Sequence, residues 1–390
     1  MYDLILLVTF LLPLLTVMSL GRYFERGLSS ATTEEQAQRR YRLAWATNLG
    51  IVGQVALMGT VLAGGWERMA IPGWLFTQIV SLGDLPAGIV GRKAGTAILS
   101  VTAMIAVALY YGLYALPWLR LDRIAKGASG RAVRNRQLRL GLRGSLAGLL
   151  PLALWFGAVD AFLPRGFLSD PAHLVLLLAG FILIVHSFSP WLVQLANPTA
   201  PLPAGHPVAQ MAMALAGDAG VRIEAVRVIE LGETRVANAL VSGLWPWLRR
   251  IYVTDHMLAT FSVDEIRAIL AHEIGHVRHR HLWCYFGFAL GGALAIPRLI
   301  EALDQLAFLR HSAWGFLIAI GLYWGVTFKF FSRRFERQAD RFAVAATGDV
   351  AAFQRALKKL AEANGMVRQY AKWDIFQSHP PIAERIRRLE

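Results

Sequence analysis

The chain has 390 residues, 55% of them hydrophobic and only 17% charged, with a mean hydropathy of +0.44 and a formal net charge of +14. An apolar excess of this size excludes an ordinary soluble enzyme and points to a membrane protein. The single cysteine, Cys284, excludes an intramolecular disulfide and a cysteine-based zinc cluster, so any metal must be held by histidines and carboxylates.

Seven apolar runs are long enough to cross a hydrocarbon core: Leu4–Leu20, Ala44–Gly65, Thr96–Trp118, Leu146–Leu163, His173–Leu195, Leu282–Leu299 and Ala313–Phe331. The sixth is the weakest, since it is strictly apolar only to Pro297 before Arg298 interrupts it, which suggests tilt or partial burial in protein. Met1-Tyr2-Asp3 lacks the basic n-region of a cleaved signal, and Arg22 and Arg26 follow the first run, so a retained helix with its N-terminus outside is expected. The loops then alternate in Lys and Arg content: five in Arg22–Arg42, three in Trp66–Ala94, eight in Arg120–Gly144, one in Pro164–Pro171 and two in Arg298–His311. The basic loops belong in the cytoplasm, together with Ala196–His281 and everything after Ser332. Short loops and the absence of a transit peptide point to a bacterial inner membrane.

The basic Arg120–Gly144 segment raises the question of nucleic acid. It lies between apolar runs and has no aromatic residue on which a base could stack, so a juxtamembrane loop explains it and nucleic-acid binding is not expected. Asp160 and His186 fall inside apolar runs, where ionisable groups are costly and face a cavity or a partner. The structural reading is favoured for both, with Asp160 near a helix end and His186 bonded to a neighbouring helix. Gly144 and Gly148 form a small-xxx-small pair suited to close helix packing.

From Asn197 the character changes. Pro198, Pro201, Pro203 and Pro207 mark a linker, followed by a helix near Val208–Ala216 and strand-like runs at Ile223–Leu231, Arg235–Val241 and Arg250–Thr254. Ser262, with Glu265 three residues on, forms a capping box for the next helix. That helix carries Ala271-His272-Glu273-Ile274-Gly275-His276, an H-E-x-x-H pattern. Positions i and i+4 share a helix face, so His272 and His276 can direct ring nitrogens at one metal ion, with Glu273 beside them as a base. The alternative, a surface helix with two solvated histidines, fits poorly with the apolar face of Ile269, Leu270 and Ile274.

Two histidines do not complete a catalytic zinc site, which needs a third protein ligand and an open position. The extended metzincin pattern would require Gly at 279 and His at 282, where this chain has His279 and Leu282. The next candidate is Phe335–Ala343, just after the seventh run, where Glu336 and Asp340 share a helix face. One can ligate while the other holds the far nitrogen of a ligating histidine. Ordinary ion pairs with Arg333, Arg334, Arg337 and Arg341 are the competing explanation.

The H-E-I-G-H helix, two apolar segments, Glu336-Arg337-Gln338-Ala339-Asp340, and a late His379-Pro380-Pro381 followed by Glu384-Arg385-Ile386 resemble the membrane zinc metalloproteases that include type I CAAX prenyl proteases and HtpX. Val236-Ala237-Asn238-Ala239 and Arg250-Ile251-Tyr252-Val253-Thr254 also resemble that family's strand pair beside the cleft. The resemblance covers Val236 to the C-terminus by motif and the rest by topology, and the run count is closest to the seven-helix CAAX branch. It implies a mainly α integral membrane protein, with seven transmembrane helices and a cytoplasmic α+β gluzincin-like metalloprotease domain split by the last two helices. Residues 1–196 would hold five helices, 197–281 the first part of the protease domain, 282–331 helices six and seven, and 332–390 the second part.

By the same resemblance His272, His276 and Glu336 would bind zinc and Glu273 would be the general base. Asp340 would orient a ligating histidine, Asn238 would bind substrate backbone, and His379 with Arg385 would stabilise the oxyanion. From residue chemistry alone, His379 also competes as a ligand and Asn238 as a simple turn residue. His279, His281 and His311 match no family position and are expected to be solvated or interfacial. The implied activity is endopeptidase hydrolysis by zinc-activated water, on C-terminal tails of lipidated or membrane-associated polypeptides held at the bilayer surface. A quality-control protease of the HtpX kind is the narrower alternative. A non-catalytic transporter or scaffold with a closed, structural zinc is the broader one.

Overall fold

The computed structural model describes residues 2–63, 110, 112–127, 131–163, 167, 170–306, 313–366 and 379–389. Most of the Thr96–Trp118 run, the Trp66–Ala94 loop and His311 lie outside them, as does the side chain of Asp160.

Long helices dominate the first half: α1 (Tyr2–Glu25), α2 (Thr33–Ala63), α3 (Arg131–Phe162) and α4 (Pro171–Ser187), with the short α5 (Ser189–Ala196) after it. Asp170 caps α4 by accepting from Ala172 N at 2.8 Å, and Pro171 follows at the first helical position, where its missing N–H costs nothing. The His173–Leu195 run is not one straight helix. It bends by 62° at Phe188, where Pro190 opens the second piece. Among the described residues, Arg131–Val159 and His281–Leu303 are long and apolar enough to cross a membrane, and the bent pair makes a third if it is one span.

The second half carries a small mixed sheet. Strands β1 (Thr199–Pro201), β2 (Ala225–Ile229), β3 (Ala239–Ser242) and β4 (Arg250–Thr254) lie in the order β1-β2-β4-β3, and only β2 and β4 are parallel. The sequence reading is corrected at two points. The proline-marked linker contains β1, a three-residue edge strand where Pro201 is tolerated because it lies at the sheet margin. The Arg235–Val241 run pairs only from Ala239, because Gly232–Thr234 forms a 3₁₀ turn and Arg235 takes a left-handed φ of 49°.

Helices α6 (Pro207–Asp218), α7 (Asp255–Thr260), α8 (Val263–Arg278), α11 (Lys329–Thr347) and α12 (Val350–Ala363) surround this sheet, and α13 (Ile382–Leu389) closes the chain. Between the two protease segments run α9 (His281–Asp304) and α10 (Ala313–Ile320), the latter joined to α11 through a π-helical stretch, Gly321–Phe328. The capping box is present: Ser262 Oγ accepts from Glu265 N at 3.3 Å, and Glu265 Oε2 accepts from Ser262 N at 2.8 Å. Ile251, Val253, Ile266, Ile269, Leu270, Ile274, Phe353 and Leu357 form the core that fixes α8 against the sheet and α12. Burying side chains of this size stabilises by about 1.5–3 kcal/mol each before entropy is subtracted, so α8 is a rigid platform.

Gly275 explains how α11 comes near enough to contribute to that platform. A Cβ there would stand 3.1 Å from Phe342 Cδ1 and 3.2 Å from the Ala339 backbone. Gly275→Val is therefore expected to force the two helices apart, at a cost of about 1–3 kcal/mol. Gly275→Ala should be nearly neutral, because it gains helix propensity of roughly 1 kcal/mol against the tighter contact. Thermal unfolding of the two variants in detergent checks this, with the larger fall in Tm expected for valine.

Arg40 of α2 ties the first half to the second. It pairs with Asp122 at 2.6 Å and donates to the carbonyls of Gly365 and Asn364, while Lys126 pairs with Asp122 at 3.2 Å and donates to Thr234 O at 3.0 Å. Asn364 in turn accepts from Ala237 N at 3.1 Å and donates to Ala237 O at 2.6 Å. The residue that follows is Asn238, so the start of the cavity-side strand is braced from α2 through two side chains.

Candidate metalloprotease site

On α8 the i, i+4 spacing brings His272 Nε2 and His276 Nε2 to 3.2 Å from each other. Across from them α11 places Glu336, whose Oε2 is 3.6 Å from His272 Nε2 and whose Oε1 is 3.5 Å from His276 Nε2. All three side chains are buried. The far nitrogen of each histidine already faces a partner: His272 Nδ1 lies 2.9 Å from Asp340 Oδ1, and His276 Nδ1 lies 3.0 Å from His281 Nδ1. With the Nδ1 protons directed outward, both Nε2 atoms present lone pairs to the same point, opposite a carboxylate. Three groups converging in this way can hold a cation between them. Nitrogens bound to one tetrahedral zinc at about 2.0–2.1 Å stand roughly 3.4 Å apart, close to the separations seen. The donor set and spacing therefore fit zinc, and among the described residues this is the group of histidines and acids that could hold an ion.

The electrostatics agree with a cation site. Burial opposes ionisation of Glu336, yet the hydrogen bond from His379 and the charge of Arg385 hold its carboxyl well below the usual range. Asp340 is also held down against burial, by Arg385 and by its bond to His272. Burial and the neighbouring His272 push His276 down to about 3, so it stays neutral and able to ligate. Glu273 behaves differently. Burial pushes it up to about 7, only partly offset by His272, and its Oε2 accepts from Val241 N of β3 at 3.2 Å. A carboxylate poised near neutrality at the edge of a strand has the basicity expected of a proton acceptor.

Asn238, His379, Arg385 and His186 line a cavity of about 630 Å³. Asn238 lines it next to β3, and its backbone N–H donates to Thr254 Oγ1 at 3.0 Å. His379 also lines it, more than half exposed, with Nδ1 3.0 Å from Glu336 Oε2. Arg385 is buried behind the ligand set. Its Nε and Nη2 engage Asp340 at 3.0 and 2.6 Å, leaving Nη1 3.7 Å from Glu336 Oε2. His186 reaches the same cavity, although its Nδ1 bonds the Ile182 carbonyl of its own helix at 2.8 Å and its ring meets Phe286 edge-on. The expected bond to a neighbouring helix is not the one formed.

His281 corrects the sequence reading more sharply. It is not solvated: it is 1% exposed and stacks on Phe335 with ring centroids 4.4 Å apart. His279 is half-buried and meets the Gln338 amide at 2.9 Å. The signal that could have found His281 is its position five residues after His276, just beyond the helix end. There Arg280, at φ 59°, reverses the chain toward the site.

Because Ala237 takes both of its backbone bonds from Asn364, Asn364→Ala is expected to loosen the cavity-side strand without touching the ligands. Leaving those groups without their partner costs about 1–3 kcal/mol. A raised KM for a peptide substrate at unchanged zinc content would be the signature.

A capped helix bearing two histidines and a glutamate, an acid from a second helix across the gap, and an edge strand beside them are the arrangement of a metallopeptidase site. Residues 206–390 match the family model described as Peptidase family M48. The chain is 27% identical over 236 residues to the Protease HtpX homolog of Aeropyrum pernix, spanning 57% of this chain and 72% of that protein. It is 29% identical over 206 residues to Protease HtpX of Hahella chejuensis, spanning 45% and 68%. The crystal structure of S. mikatae Ste24p superposes with a TM-score of 0.59 at 19% identity, over 100% of this chain and 99% of that one, and so shares its fold. The likeness to peptidase family M48 thus lies in residues 206–390, while the likeness in fold to Ste24p runs over the whole chain.

Proposed function

We propose that this protein is an integral-membrane zinc endopeptidase acting on C-terminal tails of lipidated, CAAX-type, or otherwise membrane-associated polypeptides. The observation that carries the reading is the convergence of His272, His276 and Glu336 beside Glu273, in a cavity adjoining the first turn of the apolar helix α9. In this reading His272, His276 and Glu336 hold the ion, Asp340 orients His272, and Glu273 is the general base. A bound zinc ion supplies Lewis acidity toward a carbonyl and toward water. Glu273 then takes the water's proton and passes it to the leaving amine. Asn238 and the outer edge of β3, the last strand of the sheet, hold substrate backbone, as a sheet edge does for an extended peptide. His379, at the cavity mouth, stabilises the developing oxyanion, and Arg385 contributes its charge from behind Asp340. The ligand set lies at one end of α9, which supports a site at the membrane surface, on the cytoplasmic side if the basic loops are inside.

The test is hydrolysis of an unstructured fluorogenic peptide by the detergent-purified full chain, with zinc content measured on the same sample and prenylated and plain tails compared. Chelator-sensitive cleavage restored by zinc is expected, with the prenylated tail preferred. A zinc-loaded protein that cleaves neither tail would return the weight to a structural metal in a transporter or scaffold.

A further inference from the structure

The mechanism above uses His276 as a ligand but leaves unexplained what fixes its ring. His272 has Asp340, a charged acceptor at 2.9 Å from its Nδ1. Glu336 has His379 at 3.0 Å and Arg385 at 3.7 Å. Among the described residues, the Nδ1 of His276 faces another imidazole, His281 Nδ1, at 3.0 Å. We propose that His281, backed by Gln338 and His279, is the positioning residue that sets the tautomer and orientation of His276 for metal binding. The inference rests on the reading that His272, His276 and Glu336 hold zinc.

Proton accounting gives the chain one direction. A histidine that ligates through Nε2 carries its proton on Nδ1, so His276 donates to His281 Nδ1. His281 must then be unprotonated at Nδ1 and carry its own proton on Nε2, which lies 3.1 Å from Gln338 Oε1, an atom that can only accept. The Gln338 amide nitrogen is then the donor to His279 Nδ1 at 2.9 Å. Every link has one donor and one acceptor, and no imidazole in the chain has to be charged. The other direction would put a lone pair on His276 Nδ1 and a proton on Nε2, where the ion must sit.

The fold supplies the geometry from both helices. The left-handed residue Arg280 ends α8 and folds His281 back beneath His276, where stacking on Phe335 holds its plane at 18° to that ring. Gln338 comes from α11 between Glu336 and Asp340, so one helix carries the third ligand, the partner of His272 and the partner of His281. The chain begins at the buried ligand and passes through Gln338, which is exposed, to the half-buried His279.

The test uses the detergent-purified full chain with His281→Phe, which keeps a ring for Phe335 to stack on but removes the acceptor. His281→Asp restores an acceptor, and Gln338→Leu breaks the next link while leaving His281 in place. The readouts are the zinc dissociation constant by chelator competition and the absorption spectrum of the cobalt-substituted protein, with a melting curve to confirm folding. His281→Phe is expected to weaken zinc binding by about 10–100-fold and to alter the cobalt spectrum, as loss of an outer-shell partner does. His281→Asp should recover most of that loss, and Gln338→Leu should show a smaller change in the same direction. Wild type that binds no zinc would overturn the metal reading itself. Wild type that binds zinc, beside a folded His281→Phe with the same affinity and spectrum, would overturn only the role of His281. Should His281→Phe fail to fold, Gln338→Leu decides: affinity and spectrum equal to wild type would then refute the chain.

Discussion

Replacement of Glu273 by glutamine is expected to abolish peptide hydrolysis while zinc content and Tm stay at their wild-type values. Glu273 is not one of the three converging donors, and its position next to His272 on α8 is set by helix geometry rather than by its charge. Glutamine has the same shape, and its side-chain oxygen can still accept from Val241 N, now 3.2 Å from Glu273 Oε2. What it cannot do is take a proton. Losing a positioned base costs about 10²–10⁴ in rate, and more where no other group can substitute. His379 also lines the cavity, but it faces Glu336 Oε2 at 3.0 Å. The check is kcat/KM on a fluorogenic peptide with zinc measured on the same preparation. Hydrolysis within tenfold of wild type at equal zinc would remove Glu273 from the role.

Much of this site was legible in the sequence because its parts are local. Ser262 and Glu265 mark the start of α8, and His272, Glu273 and His276 follow from helical spacing alone. Glu336 and Asp340 share a face for the same reason, although only the resemblance said that this face meets the histidines. What joins them is Gly275, whose missing Cβ lets α11 approach within contact of α8. A glycine between two histidines has no meaning until the second helix is in place. The parts that were not legible depend on single backbone angles or on long-range packing. Strand β1 is too short to show a period of two, and it sits among prolines that ordinarily mark a loop. The bend at Phe188 falls inside an unbroken apolar run, where hydropathy is blind to direction. The role of His281 turns on Arg280 adopting a left-handed conformation, which a non-glycine residue rarely does and no periodicity announces. Arg385 is expected from the resemblance to stabilise the oxyanion together with His379. Its two short bonds to Asp340 show a side chain that also holds the partner of His272, a pairing that requires α13 to pack on α11.

Glu336→Ala should produce the second large effect, loss of metal and of activity together. The Glu336 carboxylate is 1% exposed and stands within 3.0–3.7 Å of His379, His276, His272 and Arg385. Alanine removes one of three donors and, among the described residues, the carboxylate that faces both Nε2 atoms. A site with two neutral imidazoles remains, and burial already disfavours placing a dication there. The fold should survive, because Arg385 keeps its bidentate pair with Asp340 and is not left as an isolated buried charge. The cost to stability should therefore fall below the roughly 3–5 kcal/mol of a fully broken buried pair. Glu336→Gln separates charge from volume: it keeps an oxygen donor but not the charge, so its zinc affinity should lie between alanine and wild type. Measuring zinc stoichiometry after gel filtration, alongside Tm, gives both answers from one preparation. An alanine variant that retains zinc as tightly as wild type would move the third ligand elsewhere. His379 would then be the next candidate, since its Nδ1 already lies 3.0 Å from the position Glu336 Oε2 occupies.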